Sequence, residues 1–144
     1  MADNDIALMA HLMRRAGFGA TRDELEALVD KGYEATVEEL VDPKESPQAD
    51  EHVLMRYYPS SLPSNNLLDG KVRWMYHLLN TGRPLEEKMV LFWHQIFATG
   101  QAKVDGYQAM HHHMAMFRRY GMGSYRELLI QLAKDPAMLF WLDN

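Results

Sequence analysis

Between Arg83 and Gly100 the chain reads RPLEEKMVLFWHQIFATG, its most apolar helical stretch. Leu85, Met89, Phe92 and Ile96 recur at spacings of four, three and four, and Val90, Trp93 and Phe97 fill the neighbouring stripe. A helix apolar around most of its circumference has to be wrapped by other elements, so this segment is expected at the centre of the fold. Pro84 suits the first helical position, Glu86 and Glu87 occupy the first turn where the helix dipole favours anions, and Thr99-Gly100 supplies a stop. One residue is out of keeping. His94 sits among Phe92, Trp93 and Phe97, with Glu87 two turns earlier, and a buried histidine needs a hydrogen-bonding partner.

The bounds on everything else are simple. A length of 144 residues with 47% hydrophobic residues is enough for one domain with a real core. Fifteen basic and 20 acidic residues give a net charge of −5, which argues against nucleic acid or an anionic membrane as partner. Without cysteine there is no disulfide and no thiolate, so any metal would rest on His, carboxylate or Met. The start, MADNDIALMA, lacks the basic and apolar regions of a leader, and no run approaches the ~20 apolar residues of a membrane helix. As written, the chain reads as cytoplasmic. Eleven methionines fit adaptable helix packing better than a Met-lined groove.

Helical periodicity runs through the remainder. A first helix is expected over residues 5 to 15, with Gly17 beyond it. A second opens on the Thr21-x-x-Glu24 capping box and closes at Gly32. A third covers 34 to 41 and ends at Asp42-Pro43. Residues 43 to 66 hold four prolines and one short possible helix at 51 to 57. A connection this long reads as a functional lid or a flexible bridge, and Tyr57-Tyr58 suggests that it docks. A fourth helix, 67 to 80, forms a hairpin with the central one through Thr81-Gly82-Arg83-Pro84. Asp105 and Gln108 cap a sixth that runs to about 119, Ser124 and Glu127 form a capping box for a seventh, and Asp135-Pro136 opens an eighth. No segment alternates like a strand. The expected fold is all-α, an orthogonal or bundle-like array of about seven to eight helices without a sheet. It is read as a single domain over 1–144 or the N-terminal part of a longer one, with 43–66 a Pro-rich connection inside it.

Two further patterns stand out. HLMRRAGFGATRDEL, from His11, and FRRYGMGSYREL, from Phe117, share Arg-Arg-x-Gly-x-Gly, a capping hydroxyl and a Glu-Leu pair. Both put paired arginines where they complement a helix dipole, a shared local solution rather than a repeat. The last helix packs five large apolar residues into AMLFWLDN, which have to cover something. Met138, Phe140 and Trp141 are therefore candidates for binding a partner through residues 136–144, either the remainder of a longer chain or another protein.

The signatures HLMRRAGFGAT (11 to 21), RPLEEKMVLFWHQIFATG (83 to 100) and GSYRELLIQLAKDPAMLFWLDN (123 to 144) resemble the bacterial family catalogued as domain of unknown function 1800. The resemblance spans nearly the whole chain in order. It implies a longer protein, because the family pattern normally continues into a helix rich in Asn-Glu-Asn, Ala-Arg-Glu-Leu and Glu-Leu-Phe. It also implies export for many members, which this N-terminus does not indicate. Helix six departs from the pattern, with His113-Met114 where Gln-Asn is common.

Seven histidines carry most of the available chemistry. His111, His112 and His113 point about 100° apart on a helix, so they cannot chelate one ion together. His113, flanked by Met110 and Phe117, is the one expected to face the core; His111 and His112 are expected at the surface. If the central helix neighbours helix six, His94, Glu87 and His113 converge as a carboxylate-and-histidine site for a divalent metal or haem. The bland reading of His94 is a hydrogen-bonded core histidine. Nucleophilic catalysis has less support: Ser124 is occupied as a cap, and Ser60, Ser61 and Ser64 lack a nucleophile elbow. Gly17, Gly19, Gly121 and Gly123 read as helix breakers rather than an anion cradle. An arginine of either pair turned inward to a carboxylate would be a brace. Three functions stay open: an enzyme built on a His94-centred metal or haem site, a non-catalytic scaffold that docks a partner through its last helix, and, least supported, a nucleic-acid binder.

Overall fold

The computed structural model describes residues 2–58, 67–104 and 107–143. Among these there are nine helices and no strand: α1 (Ala2–Ala16), α2 (Arg22–Lys31), α3 (Tyr33–Val41), α4 (Glu51–Tyr57), α5 (Leu67–Asn80), α6 (Pro84–Ile96), α7 (Tyr107–Tyr120), α8 (Tyr125–Leu132) and α9 (Pro136–Leu142). The expected count of seven to eight is corrected to nine, the short helix inside the proline-rich connection being fully formed.

The local signals explain most boundaries. Thr21 and Glu24 complete both halves of the capping box that starts α2. Gly32, at φ 101°, ends α2 and starts α3 in a conformation that favours glycine. Asp135 caps α9 by accepting from the Met138 amide, with Pro136 in the first turn. Ser124 is a correction: it occupies the N-cap of α8 but its side chain makes no cap hydrogen bond. Glu127, its expected partner, accepts from Gln131 instead. Asp105 lies outside the described residues.

Two apolar clusters form. One gathers Met9, Met13, Leu25 and Leu40 from α1, α2 and α3, and Leu85 of α6 packs on it. The other gathers Val90, Met114, Phe117, Leu128, Leu132 and Met138, with Trp74, Trp93, Phe97 and Trp141 against it. The central helix thus joins both, but its inward stripe is not wholly the expected one. Val90 and Glu87 are buried, whereas Phe92 and Ile96 are exposed. The helix stops at Ile96, and Ala98 follows at φ 30°.

The connection after α3 is docked through Ser46, Pro47 and Asp50, whereas Tyr57 is exposed. The Gly82 amide donates to the Pro47 carbonyl at 3.0 Å, Arg83 Nε to the Ser46 carbonyl at 2.7 Å, and the Tyr76 hydroxyl to the Asp50 carbonyl at 2.8 Å. The junction of α5 and α6 is therefore held from outside by α4 and the strand of chain before it. Ser60, Ser61 and Ser64 lie outside the described residues.

Candidate functional site

α7 packs against both α6 and α9, and this brings His94 and His113 together. Their ring centroids are 5.9 Å apart at 72°. His113 has no exposed surface, and its Nδ1 lies 2.8 Å from Asp135 Oδ1, the same oxygen that caps α9. A carboxylate oxygen accepts, so Nδ1 carries a proton, and in a neutral ring Nε2 is then the nitrogen that offers a lone pair. That Nε2 is buried without a hydrogen-bond partner, as is His94 Nδ1. His94 also stands edge-on to Trp74, with centroids 5.4 Å apart. Burial first, and the His113 ring second, hold His94 below the usual imidazole pKa, so it is neutral at pH 7.

Glu87, the third residue expected to converge, is 2% exposed and bound through both oxygens by Arg118 Nε and Nη2. The planar guanidinium suits this two-point grip, and Arg118 is the inward-turned brace of its pair. Arg14 and Arg15 of the matching motif stay exposed. Among the described residues no three His, Asp or Glu side chains are placed to hold one metal ion.

His94 opens onto a pocket of about 200 Å³ between α5, α6 and α7, whose wall also includes Arg73, Trp74, His77, Tyr107, His111 and Arg118. Its unsatisfied polar atoms are concentrated. Arg73 Nε, Trp74 Nε1, His94 Nδ1 and the Tyr107 hydroxyl are buried without partners and all belong to wall residues. Behind the wall, Glu51 Oε1 lies 2.6 Å from His77 Nε2, and its Oε2 lies 2.9 Å from Arg73 Nη2, close enough for charge attraction but not aligned as a hydrogen bond.

His111 corrects the surface expectation. It is partly buried on the pocket wall, and burial, then Arg73 and Arg118, push its pKa to about 4. His112 is exposed as expected. Sequence reasoning missed Asp135 as a partner of His113, because an Asp before Pro already has a full role as a cap. It also missed Arg73 and Trp74, which no local pattern in α5 sets apart.

The proposed docking residues are divided. Met138 is buried in the second cluster, Trp141 is half-buried with its ring against Gly100 and Lys103, and Phe140 is 55% exposed. Leu142 is exposed too. No described helix is long and apolar enough to cross a membrane.

No match is found among curated proteins or among solved structures. A family model described as protein of unknown function (DUF1800) matches residues 11–144, and the chain belongs to that family.

Proposed function

We propose that this helical domain contributes a divalent-metal site built on His94 and His113 and opening onto the adjoining pocket. The observation that carries the reading is the Asp135–His113–His94 chain. An imidazole oriented through one nitrogen by a buried carboxylate, with the other nitrogen free, is the usual support of a metal-bound histidine. His94, kept neutral and with a free buried nitrogen beside it, is competent as the second ligand. In this reading Glu87 braces Arg118. Two protein nitrogens leave coordination positions for solvent or a bound anion, which is what Lewis-acid chemistry on a substrate requires. Sites that hold drug-sized ligands run to ~300–1,000 Å³, and haem needs a site on that scale. A pocket of about 200 Å³ therefore favours a bare ion.

The test is metal content by elemental analysis of the protein purified without chelator or His-tag, beside His94→Ala and Asp135→Asn. The expected result is near-stoichiometric metal in the parent, none in His94→Ala, and affinity lower by about 10–100-fold in Asp135→Asn. No metal in the parent, after incubation with zinc, manganese and iron(II) in turn, would reject the reading.

A second reading draws on Phe140 and Leu142, exposed beside Leu139 on α9. It makes the domain a scaffold that docks a protein through this helix. Phe140→Asp should then abolish any concentration-dependent association seen by sedimentation, and an association that survives it excludes α9 as the contact.

A further inference from the structure

The pocket beside His94 has a recognisable ligand preference of its own, carried by Arg73, Trp74 and the charge balance of the wall. Arg73 Nε and Trp74 Nε1 are buried without partners, and neither group can accept a hydrogen bond. Whatever satisfies them has to offer acceptors. Among the described residues the wall contains three cations, Lys71, Arg73 and Arg118, and no carboxylate. Two of these are already answered from behind, Arg73 by Glu51 and Arg118 by Glu87. One positive charge is left over, which suits a monoanion better than a dianion. Carbon surface comes from Trp74, Met110, Met114 and the Tyr107 ring, beside the polar side chains of Thr99 and Gln101. A volume of about 200 Å³ is below the ~300–1,000 Å³ of sites for drug-sized molecules.

We propose that this pocket binds a small monocarboxylate with an apolar or aromatic body, its carboxylate accepting from Arg73 Nε and Trp74 Nε1 and its body lying against Met110 and Met114. The proposal goes beyond the metal reading and does not depend on it, because the two donors belong to α5 and bind no metal.

The experiment is a calorimetric titration of the whole chain with benzoate, benzamide and inorganic phosphate, each before and after removal of metal with EDTA. Benzoate is expected to saturate one site. Benzamide, the same body without charge, and phosphate, with charge but no apolar body, should each bind about tenfold more weakly or less, the scale of losing one charge-assisted hydrogen bond or the apolar contact. Trp74→Phe keeps the ring packing and removes the donor, and should weaken benzoate by a similar factor of about ten. Arg73→Lys, which keeps the charge and loses the planar Nε donor, should do the same. Circular dichroism melts of both variants establish that they are folded. The proposal is overturned if benzoate fails to bind, if benzamide or phosphate binds as well or better, or if folded Trp74→Phe and Arg73→Lys bind benzoate like the parent. Benzoate binding that disappears with EDTA alone would put the carboxylate on the metal and overturn the Arg73–Trp74 assignment, while binding that persists supports it whatever the fate of the metal reading.

Discussion

Arg118 and Glu87 are the residues whose pairing most constrains the interior. Glu87 is almost wholly buried on an otherwise apolar helix, and its charge is tolerated there because Arg118 grips both oxygens. Removing the arginine alone strands a carboxylate. Arg118→Met should therefore cost about 3–5 kcal/mol of folding stability, measured by urea unfolding, whereas the double variant Glu87→Leu, Arg118→Met should recover most of it. Equal losses in the single and double variants would contradict this. A second residue-scale consequence concerns acid. In metal-free protein, His77 is held below its ordinary value of 6.5 by burial and then by Arg118, and His111 falls to about 4. A folded-state pKa below the unfolded one means that the unfolded chain binds more protons, so stability is full above about 6.5 and falls as pH drops towards about 4. Glu86, raised by burial, works the other way at the low end, since its protonation favours the folded state. The urea midpoint should decline from pH 7 to pH 5 and the decline should flatten in His111→Gln; an unchanged slope in that variant removes His111 as a contributor.

The Arg-Arg-x-Gly-x-Gly echo acquires its meaning from the way elements meet. Each copy ends a helix and turns the chain against α6. Lys88 Nζ donates to the Gly17 carbonyl at 2.6 Å, and Trp93 Nε1 donates to the Gly121 carbonyl at 2.7 Å. The glycines are needed for close approach: a Cβ on Gly17 would sit 3.0 Å from Pro84, and one on Gly121 would sit 2.5 Å from the Phe117 carbonyl and 2.8 Å from the Trp93 ring. Gly121→Ala should cost roughly 1–3 kcal/mol through overpacking. The near-ultraviolet circular dichroism of Trp93 should change with it, and a variant as stable as the parent would show that the turn can shift. Much of this was legible in the sequence. Caps, prolines and glycines fixed the helix ends locally, and Met110 and Phe117 marked His113 as the inward histidine by spacing alone. What stayed hidden depends on which elements are neighbours. The stripe of α6 that turns inward was misjudged because Phe92 looks more apolar than Glu87, and only Arg118, 31 residues away, makes the carboxylate the buried one. Asp135 was legible as a cap and illegible as a histidine's partner for the same reason.

At the scale of the molecule, α6 is, among the described residues, the one helix whose side chains enter both apolar clusters, Leu85 in the first and Val90 and Trp93 in the second. Lys88 adds a polar tie from the same helix to the Arg14 and Gly17 carbonyls at the end of α1. A rigid helix that shares its length between two clusters cannot melt in one without losing packing in the other, so the two should unfold as one cooperative unit. The tryptophans offer a clean test because Trp74, Trp93 and Trp141 all pack on the second cluster and none on the first. Leu25, buried in the first cluster on α2, is remote from every one of these reporters by cluster membership. Leu25→Ala should destabilise by about 2–5 kcal/mol through lost transfer energy and the cavity left behind. If α6 couples the clusters, that loss lowers the urea midpoint of tryptophan fluorescence as much as the midpoint of far-ultraviolet circular dichroism, which reports helices of both clusters. A fluorescence transition that stays at the parent midpoint, while the dichroism transition splits or broadens, would mean that α1 to α3 unfold on their own and that the His94 site is supported by the second cluster alone.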